Sequence, residues 1–178
     1  MNNEYIDPII GRLSAMPVPP AAPAARRNRP KRSEPIQWHL PGLCDNVRVT
    51  TSFGDLPVQA LHRRDPLRTQ AGSLALVEWV DRIRLDEEFL GENPDALPVR
   101  IPAGTFGPGR PERDLIVSPQ QLVNVGASPY AQEFRRARDL LGRPGVVRQP
   151  VTMVTYHLFH CGAPAIVTAE GVCLSVSP

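Results

Sequence analysis

The sequence predicts a mostly-β domain over residues 37–178, with one short helix, behind a disordered tail over residues 1–36. Three observations carry this. Runs of β-branched and other apolar residues recur in alternation, as in Val47-Arg48-Val49-Thr50-Thr51 and Val154-Thr155-Tyr156, the period-2 signature of half-buried strands. Glycine and proline, 13 and 21 of the 178 residues, interrupt the chain too often for long helices. Sustained helical spacing occurs in one stretch, near 129–141.

The tail alternates Pro17, Pro19, Pro20, Pro23, Pro30 and Pro35 with alanines and a basic cluster of Arg26, Arg27, Arg29, Lys31 and Arg32. Such a segment buries too little apolar surface to offset its ordering entropy, so disorder is expected. Tyr5, Ile6, Ile9, Ile10 and Leu13 have the spacing of a short docking peptide. A protein partner, if the chain has one, is expected to bind this tail; a solvated linker is the simpler reading of the same composition.

The folded part begins near Trp38. Residues 47–51 form a strand, Gly54-Asp55 a hairpin turn with Phe53, and 56–61 the return strand. Residues 74–85 alternate again around Trp79 and Val80, with Val77 and Trp79 expected on one face. The acidic stretch 86–95 reads as a loop with one helical turn at 87–90. Pro98-Val99-Arg100-Ile101 is a short strand. Gly104, Gly107, Pro108, Gly109 and Pro111 then exclude a helix, and Leu115-Ile116-Val117 is a buried strand ending at Ser118-Pro119. Ser128 as N-cap, Pro129 at the first helical position, and the spacing of Ala131, Phe134, Ala137 and Leu141 predict a helix over 129–141, stopped by Gly142 and Pro144. Its arginines read as a solvated face. Residues 146–151, 154–159, 165–168 and 172–176 complete the strands, the last two joined by a Glu170-Gly171 turn.

Composition bounds the function. The length suits one domain plus a tail. A net charge of +2 is too small to imply a nucleic-acid partner. No apolar run approaches a membrane span, so no membrane association is expected. The N-terminus lacks a basic region followed by an apolar core, which predicts a cytoplasmic protein; export by a non-N-terminal signal lies outside this test. Lys31 is the single lysine among many arginines, a bias we attribute to base composition. Cys44, Cys161 and Cys173 are odd in number with no C-x-x-C spacing, so neither a disulfide framework nor a structural zinc site follows. A monomer without cofactor is expected.

The middle and end of the chain carry a resemblance. Pro98 to Ile101, Ala103-Gly104, Gly107-Pro108-Gly109, Arg113-Asp114-Leu115, Val117-Ser118-Pro119, Ala137 to Leu141, Val154-Thr155-Tyr156 and Ala169-Glu170-Gly171 follow one another as they do in the hedgehog/intein (Hint) family. The chain most resembles its bacterial branch, from about Gly42 onward. The resemblance implies a pseudo-symmetric horseshoe of bent strands. One departure is Arg63-Arg64-Asp65, with Arg64 where the family has glycine.

The resemblance also implies an activity. Hint domains cut or rearrange their own backbone. A cysteine or serine at the domain's first position attacks the preceding carbonyl, and a histidine in a Thr/Ser-x-x-His motif protonates the leaving nitrogen. Thiolates are good nucleophiles and nitrogen leaves only as an amine, so an acid titrating near neutrality must stand close by. Anchored on Gly54 and the 47–51 strand, the nucleophile position falls on Gly42, which has no side chain. Cys44, two residues on, is the candidate displaced nucleophile, against the alternative of a small core residue. Ser118-Pro119-Gln120-Gln121 occupies the Ser-x-x-His motif with Gln121 in place of histidine, and losing a general acid costs about two to four orders of magnitude in rate. The family's downstream histidine falls on Pro164, with His157 and His160 near it in shifted register. The candidate catalytic set is therefore Cys44, Ser118, Gln121 and His157. The chain ends Ser177-Pro178 without the terminal asparagine of splicing inteins, so full splicing is not expected.

Two function classes follow: a degenerate Hint domain acting as a scaffold or interaction module, and a slow autoprocessing domain using Cys44 with help from His39, His157 or His160. Other sites are weaker. His157 and His160 point to opposite faces of a straight strand, which argues against a metal site with Cys161. Gly104 to Gly109 lacks the lysine and helix of a phosphate loop. Asp55, Asp65 and Asp114 read as turn caps.

Overall fold

The computed structural model describes residues 38–128 and 130–178. The tail and the Pro129 helix start lie outside the described residues. The strands are β1 (Leu43–Cys44), β2 (Arg48–Thr51), β3 (Gly54–Pro57), β4 (Pro66–Arg68), β5 (Leu74–Leu76) and β6 (Trp79–Leu85). The helix α1 (Glu87–Glu92) follows, then β7 (Val99–Ile101), β8 (Leu115–Val117), β9 (Leu122–Asn124) and β10 (Phe134–Arg136). Last come β11 (Val147–Arg148), β12 (Val154–His160), β13 (Ala165–Ala169) and β14 (Val172–Val176). They form two open sheets. One has six strands in the order β11-β7-β8-β1-β12-β6; the other has eight, β10-β9-β14-β13-β2-β4-β5 with β3 added to β2. The mostly-β reading with one short helix holds, but the helix is not where spacing put it.

β12 shows why the strands form where they do. Val154 and Tyr156 pack into a cluster with Trp38, Cys44, Leu85, Leu90 and Ala96. Phe159, of opposite parity, packs into the main core with Leu43, Val99, Val117, Val167 and Leu174. An alternating apolar strand can bury both faces only when layers cover both. α1 covers one side: Asp86 caps it by accepting from the Phe89 amide at 3.0 Å, Glu87 and Glu88 suit its N-terminal dipole, and Leu90 is buried.

Four expectations are corrected. The helix expected over 129–141 is absent from its described residues, 130–141: β10 pairs with β9, matching Phe134 to Asn124 and Arg136 to Leu122, and Ala137–Leu140 is a single 3-10 turn. The start signal is used locally, since Ser128 Oγ accepts from the Ala131 amide at 3.2 Å. The chain then folds back so tightly that a Cβ at Gly126 would stand 2.6 Å from the Ala131 carbonyl oxygen. The exposed edge of β9 offers a whole ladder of hydrogen bonds, and that outweighs weak helical propensity. The run 74–85 is two strands in different sheets. The chain crosses at Val77-Glu78, where Arg64 donates to the Val77 carbonyl at 2.7 Å and Glu78 to that of His160 at 2.9 Å. Val77 is therefore buried while Trp79 is 41% exposed. The return strand stops at Pro57 and gives way to a 3-10 turn, Val58–Ala60. Only Val147–Arg148 of the stretch 146–151 is strand.

The central hairpin fits its reading. β7 and β8 pair with Val99 opposite Val117 and Ile101 opposite Leu115, and 102–114 is the connecting loop. This loop docks on the Glu170-Gly171 turn: Glu112 donates to the Glu170 carbonyl at 2.8 Å, and a Cβ on Gly171, at φ 74°, would meet the Gly109 carbonyl oxygen at 2.9 Å. Buried Glu170 in turn accepts from the Arg48 amide at 2.9 Å. Arg64, standing where glycine is expected, has φ 75°, a left-handed backbone that glycine adopts at less cost.

Asp114 caps the loop. It accepts from the Ala103 amide at 3.0 Å and from Arg100 Nε at 2.7 Å. The backbone bond first, then the arginine, hold its carboxyl below the usual range. A folded pKa below the unfolded one contributes stability that is present above the unfolded value and lost as pH falls through the folded one. The stability gap between wild type and Asp114→Asn should therefore be full at neutral pH and shrink as pH falls below about 4, read from denaturant midpoints across pH.

Candidate functional site

The turn Ser118-Pro119-Gln120-Gln121 follows β8, and three of its side chains bond to the segment entering β1. Ser118 accepts from Trp38 Nε1 at 2.9 Å and donates to the Leu40 carbonyl at 2.5 Å, while its amide donates to the Gly42 carbonyl at 2.9 Å. Gln120 Nε2 donates to the Trp38 carbonyl at 2.6 Å. Gln121 Oε1 accepts from the Gly42 amide at 3.2 Å, and its Nε2 donates to the carbonyls of Leu122 at 3.2 Å and Ser175 at 3.0 Å. Gln121 is 3% exposed and Ser118 fully buried. One buried amide thus ties β1, β9 and β14 together, and a satisfied buried network of this kind fixes geometry strongly.

Gly42 has φ 151°, and a Cβ there would stand 3.1 Å from Tyr156 Cβ and 3.2 Å from the His157 carbonyl oxygen. Tyr156 forms this wall from β12, fully buried, with its hydroxyl donating to the Ala96 carbonyl at 2.6 Å. Gly42 and Gln121 line a cleft of about 460 Å³ together with His157, His160, Ser175 and Ser177. Trp79 stacks on His160 at its side, ring centres 5.3 Å apart. His160 Nδ1 accepts from the Gly162 amide at 3.1 Å. His157 is held by Asp45, its Nε2 at 2.6 Å from the carboxylate.

The structure brings Ser118, Gln121, His157 and Gly42 into one region. Cys44 is set apart from them. It lies in the cluster under Tyr156, pairs with Tyr156 across the ladder, and lines a different cleft that shares no residue with the first. Burial, reinforced by the Asp45 carboxylate, pushes its thiol up to about 12. Sequence reasoning missed Trp79 and Asp45. Trp79 becomes visible only once β6 lies beside β12, pairing it with His160. Asp45 has no sequence signal toward a histidine 112 residues away. Among the described residues, no three His, Cys, Asp or Glu side chains come together as a metal site, and no helix is long and apolar enough to cross a membrane.

A family model described as Hint domain matches residues 41–175. Among solved structures, the chain is similar to a DnaB intein from Synechocystis sp. PCC 6803, with TM-score 0.50 at 9% identity, covering 78% of this chain and 100% of that one. It is also similar to the MchDnaB-1 intein, with TM-score 0.48 at 10% identity, covering 76% of this chain and 99% of that one. No curated protein matches. Identities this low speak for the fold alone.

Proposed function

The chain belongs to the Hint domain family, and from that premise we propose that it is a Hint domain without efficient self-cleavage, serving as a scaffold or interaction module. One observation carries the proposal. Gln121, at the position of the family's histidine, accepts a hydrogen bond from the Gly42 amide and spends its donors on two backbone carbonyls. A group that accepts from the amide nitrogen and has no titratable proton cannot protonate a leaving amine. Gly42 offers no nucleophile.

Autoprocessing through Cys44 fits less well. A thiol with pKa about 12 is thiolate in only about one molecule in 10⁴ at pH 8, and it opens on the wrong cleft. Cys44 is accordingly expected to resist a thiol reagent such as dithionitrobenzoate in the native protein and to react on unfolding, as peptide mapping of labelled protein would show.

The test is the intact mass of fresh protein held at pH 7 to 8 with and without a strong thiol. The expected result is an unchanged 19.6 kDa. A fragment starting near Cys44, formed faster with thiol and absent in Cys44→Ala, would overturn the proposal. For the interaction role, removing residues 1–36 is expected to abolish partner binding while leaving the thermal midpoint of the domain unchanged.

A further inference from the structure

The cleft that holds Cys44 has a volume of about 430 Å³ and carries two polar groups whose needs the protein does not meet. Gln149 Oε1 is buried and has no hydrogen-bond partner. Its own backbone amide is already committed to the Pro98 carbonyl at 2.8 Å. Arg84, in the same lining, turns Nε to the thioether of Met153 at 2.7 Å, a weak acceptor for a guanidinium. No carboxylate among the described residues pairs with Arg84. Asp45, the other charged group of the cleft, is engaged with His157. Ile116, Val151 and Val154 line the same cleft.

An orphaned buried acceptor, an underused guanidinium and apolar side chains lining one cleft describe a ligand with three parts: an N–H donor, an anion and an apolar body. We propose that this cleft binds the C-terminal residue of a peptide. Its α-carboxylate pairs with Arg84, its last amide N–H donates to Gln149 Oε1, and its apolar side chain lies over Ile116 and Val151. Arginine matches a planar carboxylate through paired N–H donors, and capture of a chain terminus is an established mode of peptide recognition. An inorganic anion would satisfy Arg84 but leave Gln149 without a donor. The Asp45 carboxylate in the same cleft also disfavours a doubly charged ligand. The inference does not depend on the chemistry of the Gly42 cleft, because the two clefts share no lining residue.

The test titrates the full-length, nitrogen-15-labelled protein with N-acetyl-Ala-Leu as the free acid and as the C-terminal amide, followed by NMR. The expected result is shifts at the Gln149 side-chain amide and at the Ile116 and Val151 backbone amides, with millimolar-range affinity for the acid. The amide should bind about tenfold more weakly, the loss expected for one charge-assisted contact. Arg84→Gln, on an exposed strand, should lose the same factor while its spectrum otherwise superimposes on wild type. Gln149→Leu should weaken the free acid. Equal binding of acid and amide, no shift at these three residues, or shifts centred on the Gly42 cleft would each overturn the proposal. The acid-against-amide comparison uses the wild-type protein and holds whether or not the variants fold.

Discussion

Gly42→Cys, the substitution that returns a nucleophile to its expected position, should destabilise the domain by about 2–4 kcal/mol rather than activate it. The backbone at Gly42 has φ 151°, and an added Cβ meets Tyr156 Cβ at 3.1 Å and the His157 carbonyl oxygen at 3.2 Å. Both neighbours belong to the middle of β12, which is paired along its whole length with β6 and cannot retreat without losing a ladder. The melting temperature should fall by roughly 5–15 °C for a domain of this size. Gly42→Ala should cost nearly as much, since the Cβ and the backbone angle are the cause. Combining Gly42→Cys with Gln121→His should still give an uncut chain by intact mass, because a histidine there also gives up the bonds of Gln121 Nε2 to Leu122 and Ser175. A double variant that cleaves after Pro41, or a Gly42→Cys protein as stable as wild type, would show that Tyr156 does not hold the site closed.

Tyr156→Ala should cost about 3–5 kcal/mol, the range for deleting a large buried aromatic side chain. Tyr156 is fully buried, its ring lies 5.5 Å from that of Trp38, and its hydroxyl satisfies the Ala96 carbonyl. Tyr156→Phe keeps the packing and leaves that carbonyl without its donor, which should cost about 1–3 kcal/mol. The two sites should couple. The space opened by Tyr156→Ala relieves the contact that a side chain at Gly42 would make, so the double variant Gly42→Cys/Tyr156→Ala should be less destabilised than the sum of the single ones. Denaturant unfolding of the four proteins in a double-mutant cycle measures this. Strict additivity would mean that the backbone angle at Gly42, and not Tyr156, is what excludes a side chain.

The candidate site was legible in part. Anchoring on Gly54 and the 47–51 strand singles out Gly42, the Ser118 motif singles out Gln121, and the structure joins the two by one hydrogen bond. That Ser118, Gln120 and Gln121 bond to residues 38–42 could not be read, since each of those bonds spans about eighty residues and the chain carries no local mark of its partner. The helix expected at 129–141 failed for a related reason. Ala131, Phe134, Ala137 and Leu141 have helical spacing, but β9 needed an edge partner, and that need is set by the sheet. The helix that does form, α1, has its own cap at Asp86 and acidic first turn, signals that are local.

Residue order alone was enough for the strand-rich character, the central hairpin with its glycine-proline loop, and the presence of glycine at 42 and glutamine at 121. Each is a matter of residue type or of period-2 alternation over a few neighbours. The tertiary structure alone decided that residues 74–85 divide between two sheets. It also decided that Cys44 is buried beside Tyr156 and faces a separate cleft, and that a side chain at Gly42 would crowd Tyr156 and the His157 carbonyl. Those outcomes depend on which strands lie side by side, and pairing is selected by burial of the whole core rather than by any one segment.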